Sequence, residues 1–167
     1  MILNIGCGTQ TFGDVKCDIY PSEAADIICD ALHLPFRSEC FDVVYSKTVF
    51  EHLNNPLNAL TEQKRVLRRG GQIIVITDNS GYWRFYMFPN GNHLAYQTRQ
   101  YDKHYGLYTP LHLQNFFSDL QLNVESIRFI KFGTPKIDIV VQMMAKIMKR
   151  LNLIAYPCIE AVATKPN

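Results

Sequence analysis

The chain has 167 residues, with 17 Lys and Arg against 15 Asp and Glu, a formal net charge of +2. That balance excludes a surface built to coat nucleic acid and argues against RNA or DNA as a partner. With 47% hydrophobic and 19% charged residues, the sequence is globular and long enough to bury one domain core.

No apolar run reaches the ~18 residues of a membrane span, and the first residues lack the basic, then apolar, then small order of a secretory leader. The cysteines (Cys7, Cys17, Cys29, Cys40 and Cys158) are odd in number and form no C-x-x-C. A zinc ribbon or redox pair is not expected; buried reduced thiols are, and with them a cytoplasmic location.

The first half alternates short apolar runs with breakers. Residues 2–7, 15–19, 25–29 and 41–46 are each bounded by Gly, Pro, Asp or Ser, as buried strands are. Residues 56–67 predict a helix: Leu57, Leu60, Val66 and Leu67 share roughly one face, Asn55 caps it and Pro56 takes the first helical position. Gly70-Gly71 is expected to stop it before a strand at 72–77. Residues 78–108 show no period and hold an aromatic cluster of Tyr82, Trp83, Phe85, Tyr86 and Phe88 with Met87. It is expected either to fill core or to form a lid or apolar acceptor pocket. Thr109-Pro110 caps a helix at 111–120, a strand follows at 123–132, and a helix at 136–151 carries an apolar stripe opposite a basic side. That helix predicts either packing with a solvated face or peripheral contact with a membrane surface or partner. Residues 159–164 close the chain as a strand. Continuous apolar strands alternating with helices predict an α/β fold with a mostly parallel sheet.

In such a sheet a ligand lies at the carboxyl ends of the strands. There the sequence places Gly6-Cys7-Gly8, where glycine permits close backbone approach. Asp18 closes the second strand, positioned to accept hydrogen bonds from a ribose diol. Asp30 closes the third run, and with Ala31-Leu32 offers an acceptor beside an apolar wall, which suits an adenine ring. The dinucleotide fingerprint fits less well, because the third glycine falls late, at Gly13, and no helix separates Gly8 from Asp18.

These stretches resemble the class I S-adenosylmethionine (SAM)-dependent methyltransferases, most closely the "type 11" group. LNIGCGT (3–9), CDIYP (17–21), CDALHLPFRSECFDVVYSKTVFEHL (29–53) and NPLNALTEQKRVLRRGGQIIVIT (55–77) carry the resemblance in family order. It implies a Rossmann-like seven-stranded sheet, mostly parallel with an antiparallel last strand. It divides one domain, 1–167, into a SAM-binding half (1–78) and a substrate half (79–167). It places Gly6, Cys7 and Gly8 under the methionine part of SAM, Asp18 on the ribose with Ile19 against the adenine, and Asp30, Ala31 and Leu32 around the adenine. Ser46, Lys47 and Thr48 fall near the sulfonium. S-adenosylhomocysteine would be the product.

Two departures stand out. Residues 9–14 and 20–24 are too short for the helices that the family places there. One sheet face is therefore expected to be covered otherwise: by the 80–108 segment, a second subunit as in a homodimer, a partner protein or a lipid surface. Some relatives also carry an E-x-x-E-H metal cluster, of which only Glu51-His52 remains, so no metal is expected. Methyl transfer needs alignment and exclusion of water, and a base only for a proton-bearing acceptor. Candidate bases are His52, His93, His104 and His112, plus the tyrosines, with His52 and His104 carried forward. The expected activity is methyl transfer to an unidentified small-molecule or lipid-like acceptor; the alternative is a weakly active or inactive binding subunit. Aminopropyl transfer lacks its acidic amine-binding pair, and SKTV (46–49) lacks the stacking platform of base methylation.

Overall fold

The computed structural model of the chain describes residues 1–82, 104–130 and 156–167. Strands β1 (Ile2–Ile5), β2 (Val15–Asp18), β3 (Ile27–Ile28), β4 (Phe41–Lys47), β5 (Leu67–Asp78), β6 (Asn123–Ile130) and β7 (Cys158–Thr164) form one sheet. Helices α1 (Pro56–Val66) and α2 (Pro110–Asp119), with a 3-10 turn at Phe50–His52, complete the described elements. The strand order is β3-β2-β1-β4-β5-β7-β6. Pairs among the first five strands are parallel, and β7 runs antiparallel to β5 and β6.

The expected seven-stranded sheet with one antiparallel strand is therefore present, and so are both helix caps. The Asn58 N–H donates to Asn55 Oδ1 (3.1 Å). The His112 N–H donates to Thr109 Oγ1 (3.3 Å), while the Thr109 N–H donates back to His112 Nδ1 (3.1 Å). Each bond satisfies an otherwise orphaned helix-end donor.

The glycine pair does not separate helix from strand as expected. Leu67 is already extended and pairs with Phe41, so β5 starts directly at the end of α1. Gly70, at φ +70°, lies inside β5, and the ladder shifts register between Phe41 and Val43. Leu67 is fully buried, and burial of this side chain holds the helix–strand junction tight.

Register sorts the sheet into two faces. Leu3, Val44, Ile73 and Ala163 lie side by side across the ladder. They belong to one buried cluster with Ala59 and Leu60 of α1 and Leu113 and Phe117 of α2. On the opposite face Val43, Tyr45, Ile74 and Val162 are only half-buried. Among the described residues both helices pack on the first face. Residues 9–14 and 20–24 form no helix, as expected; instead the 9–14 loop lays Phe12 edge-on against Tyr45, with ring centroids 5.2 Å apart. The predicted helix at 136–151, and the aromatic cluster from Trp83 to Phe88 with His93, lie outside the described residues.

Candidate functional site

The loop after β1 turns on two glycines in the left-handed region, Gly6 at φ +65° and Gly8 at φ +54°. A Cβ on Gly6 would lie 2.3 Å from Val49 Cγ2, so the turn is packed against the segment after β4. Among the described residues a Cβ on Gly8 would meet nothing within 4 Å. The Gly8 N–H donates to Asp18 Oδ2 (2.8 Å) and the Tyr20 N–H to Asp18 Oδ1 (3.0 Å). Ser22 Oγ donates to the Gly8 carbonyl (2.6 Å). Asp18 thus ties the ends of β1 and β2 together, and each carboxylate oxygen still has a lone pair for a second donor. Ile19, beside it, is 55% exposed.

After β3, Asp30 Oδ1 accepts the Leu32 N–H (2.8 Å), an Asx turn that shapes the loop. Ala31 is buried and Leu32 half-buried. A row on α1 clamps this loop. Asn58 Nδ2 donates to the Leu32 carbonyl (3.0 Å), and the Leu34 N–H donates to Glu62 Oε2 (2.9 Å). Arg65 donates to the carbonyls of Phe36 (2.7 Å) and Leu34 (2.9 Å), and to Glu62. The Arg65 guanidinium holds the Glu62 carboxyl below its ordinary range.

After β4, Ser46 is fully buried, and its Oγ has no hydrogen-bond partner among the described residues. Lys47 is half-buried. Thr48 takes φ +52°, a strained conformation for a β-branched residue. Its N–H donates to the Ile76 carbonyl (2.8 Å). The strain turns the chain into the 3-10 turn that carries Glu51 and His52.

Here four elements converge. Glu51 is 1% exposed and accepts the Thr77 hydroxyl (2.8 Å). Burial, with Asp78 nearby, pushes its carboxyl up to about 8. Asp78, closing β5, is pushed up to about 6 by burial, with His52 pulling the other way. Its Oδ2 lies 3.7 Å from His104 Nδ1. The His52 and His104 rings meet edge to face, 4.6 Å between centroids. The His104 segment is fastened in place: the Tyr105 N–H donates to the Glu51 carbonyl (2.7 Å), and Tyr108 OH donates to the Phe50 carbonyl (3.2 Å). Cys158, which starts β7 opposite Asp78, is a thiol pushed up to about 12 by burial and the nearby carboxylates.

The fold therefore brings His52 and His104 together, although 51 residues separate them in sequence. The glycine turn and Asp18 form one unit; Asp30, Ala31 and Leu32 form a second. His112 caps α2 instead of joining the cluster. Sequence reasoning missed Asp78, Thr77 and the Asn58, Glu62, Arg65 row. Asp78 was findable, since a carboxylate ending an apolar strand is the signal that singled out Asp18 and Asp30. Among the described residues no group of three or more His, Cys, Asp or Glu is placed to hold a metal ion.

A seven-stranded sheet in this order, with its glycine turn and strand-end acids, is the class I methyltransferase fold. Residues 14–75 match the family model described as a methyltransferase domain. An uncharacterized protein of Methanocaldococcus jannaschii is 33% identical over 93 residues, covering 47% of this chain and 41% of the relative. A Homo sapiens protein named "Probable tRNA methyltransferase 9B" is 34% identical over 94 residues, covering 45% of this chain and 20% of the relative. The chain thus spans less than half the length of these curated relatives. Among solved structures, one described as "Complex between the Haloferax volcanii Trm112 methyltransferase activator and the putative methyltransferase" superposes with TM-score 0.66 at 16% identity. That match covers 99% of this chain and 82% of the other.

Proposed function

We propose that the chain transfers a methyl group from SAM to a small-molecule or lipid-like acceptor by in-line displacement. The carrying observation is the joined Gly8–Asp18 unit at the carboxyl edge of the sheet. It pairs an open backbone cradle, where a Cβ would stand in the ligand's space, with a carboxylate able to take a hydroxyl pair. These residues fit SAM, which supplies a methyl group already activated by the sulfonium charge. Gly6, Cys7 and Gly8 run their backbone along its methionine part. Asp18 accepts from the ribose hydroxyls, and Ile19, Asp30, Ala31 and Leu32 hold the adenine. Ser46, Lys47 and Thr48 bound the reacting end, near His52 and His104. The protein's work is alignment of acceptor, methyl and sulfur and exclusion of water. The mild net charge of +2 favours a small acceptor over a polyanionic one.

Calorimetric titration with SAM and S-adenosylhomocysteine tests this reading. Micromolar binding is expected, weakened about tenfold or more in Asp18→Ala, because a charge-assisted hydrogen bond is worth roughly 1.5–3 kcal/mol.

A second reading is a SAM-fold subunit that works through a partner protein. It is favoured by the half-buried face at Val43, Tyr45, Ile74 and Val162 and by the activator-bound state of the structural neighbour. A folded protein that binds neither nucleoside would support it.

A further inference from the structure

The cluster at the ends of β4 and β5 goes beyond cofactor binding. We propose that Asp78 holds the His104 ring as its Nδ1–H tautomer, so that Nε2 takes the proton from a methyl acceptor that reacts through an O–H or N–H group. This rests on the methyl-transfer reading and narrows its acceptor class.

Three observations carry it. Asp78 Oδ2 and His104 Nδ1 lie 3.7 Å apart, with both side chains only about one-fifth exposed, at 20% and 18%. That separation is longer than a hydrogen bond, as contacts of this kind often are before substrate binds. Second, the segment carrying His104 is not free to wander. The backbone N–H groups of Tyr105 and Gly106 both donate to the Glu51 carbonyl, and Tyr108 forms a bridge to Asn79, next to Asp78. Third, the remaining carboxyl of the cluster is otherwise occupied: Glu51 is buried and bonded to Thr77. A carboxylate on Nδ1 both selects the tautomer and stabilises the imidazolium that proton uptake creates.

The balance is simple. The acceptor's X–H bond breaks and an X–CH3 bond forms. The S–CH3 bond breaks with its electron pair going to sulfur, and the proton goes to His104 Nε2. Asp78 is a positioning residue. Besides Asp78, the titratable group that meets the ring among the described residues is His52 from the 3-10 turn; Glu51, Cys158 and Lys47 act on the carboxyl side of the cluster, Glu51 and Cys158 through Asp78 and Lys47 through Cys158. Asp78, pushed up to about 6, is ionised at pH 8.

The test is a long-range nitrogen–proton correlation spectrum of protein labelled with 15N-histidine, at pH 8, with His104 assigned through His104→Gln. The expected result is a protonated Nδ1 and an unprotonated Nε2 on His104, and loss of that pattern in both Asp78→Asn and Asp78→Ala. A His104 protonated on Nε2, a doubly protonated ring, or a tautomer unchanged in the variants overturns the proposal. If the variants do not fold, the wild-type spectrum alone decides. Titrating the same wild-type sample with SAM keeps the two claims apart. Absence of SAM binding contradicts the methyl-transfer reading, whereas the wrong tautomer contradicts only the role of Asp78.

Discussion

Gly6 shows how closely the site depends on single atoms. Its φ of +65° and the 2.3 Å approach of a Cβ to Val49 Cγ2 leave no room for a side chain. Gly6→Ala is expected to cost about 2–4 kcal/mol, combining the left-handed penalty with overpacking. At this chain size that lowers the thermal midpoint by roughly 5–15 °C. Adding Val49→Ala should recover the packing part and leave the backbone part. Glu51 makes a different prediction. Its carboxyl, ordinarily near 4.5, is pushed up to about 8 by burial and by Asp78, so the folded chain holds a proton that the unfolded chain has released. Stability from this group is complete below about 4.5 and is lost as pH rises towards about 8. Asp78 works with the same sign between 3.8 and about 6. Glu62, held low by Arg65, works oppositely and only on the acid side. The thermal midpoint of wild type is therefore expected to fall between pH 5 and pH 8.5. Glu51→Gln, which keeps the Thr77 contact without an ionisable group, should flatten that fall.

Among the elements, α1 does more than cover the sheet. Its Asn58, Glu62 and Arg65 face the loop after β3 and fix the backbone on which Asp30 and Leu32 sit. Arg65→Ala should loosen that loop without touching a ligand. About 2 kcal/mol of lost charge-assisted bonding is expected, a fall of roughly 4–8 °C in melting temperature. Scanning calorimetry and a SAM titration on one sample should show it together with a severalfold loss of affinity. The helix itself was legible in the sequence through its cap, its Pro56 start and its apolar spacing. The clamp was not, because its partners are backbone carbonyls that lie far away along the chain and leave no trace in local pattern. The strands bounded by Gly and Asp breakers were legible too, since the strands of a mostly parallel sheet read as near-continuous apolar runs. The start of β5 was misplaced for a physical reason. Two glycines suggested a helix stop, but burial of Leu67 and its pairing with Phe41 set the junction earlier. Likewise Asp18 and Asp30 could be singled out from strand ends, whereas the meeting of His52 with His104 depends on tertiary closure alone.

At the scale of the molecule, the described residues build a class I sheet with two helices on one face. Helices α1 and α2 bury one face around Leu3, Val44, Ile73 and Ala163. The short 9–14 loop partly shields the other by setting Phe12 on Tyr45, although Phe12 stays 51% exposed. Among the described residues no helix is long and apolar enough to cross a membrane. The carboxyl edge of the sheet gathers the glycine turn, three strand-end carboxylates and two histidines, and it is the edge proposed to receive SAM. The direct measurement is isothermal titration of the wild-type chain and Asp18→Ala with SAM. Micromolar binding at one site is expected in wild type, with at least about a tenfold loss in the variant from removal of the charge-assisted contacts to the ribose. A well-folded wild type that shows no heat of binding, or a variant that binds as tightly as wild type, would contradict it.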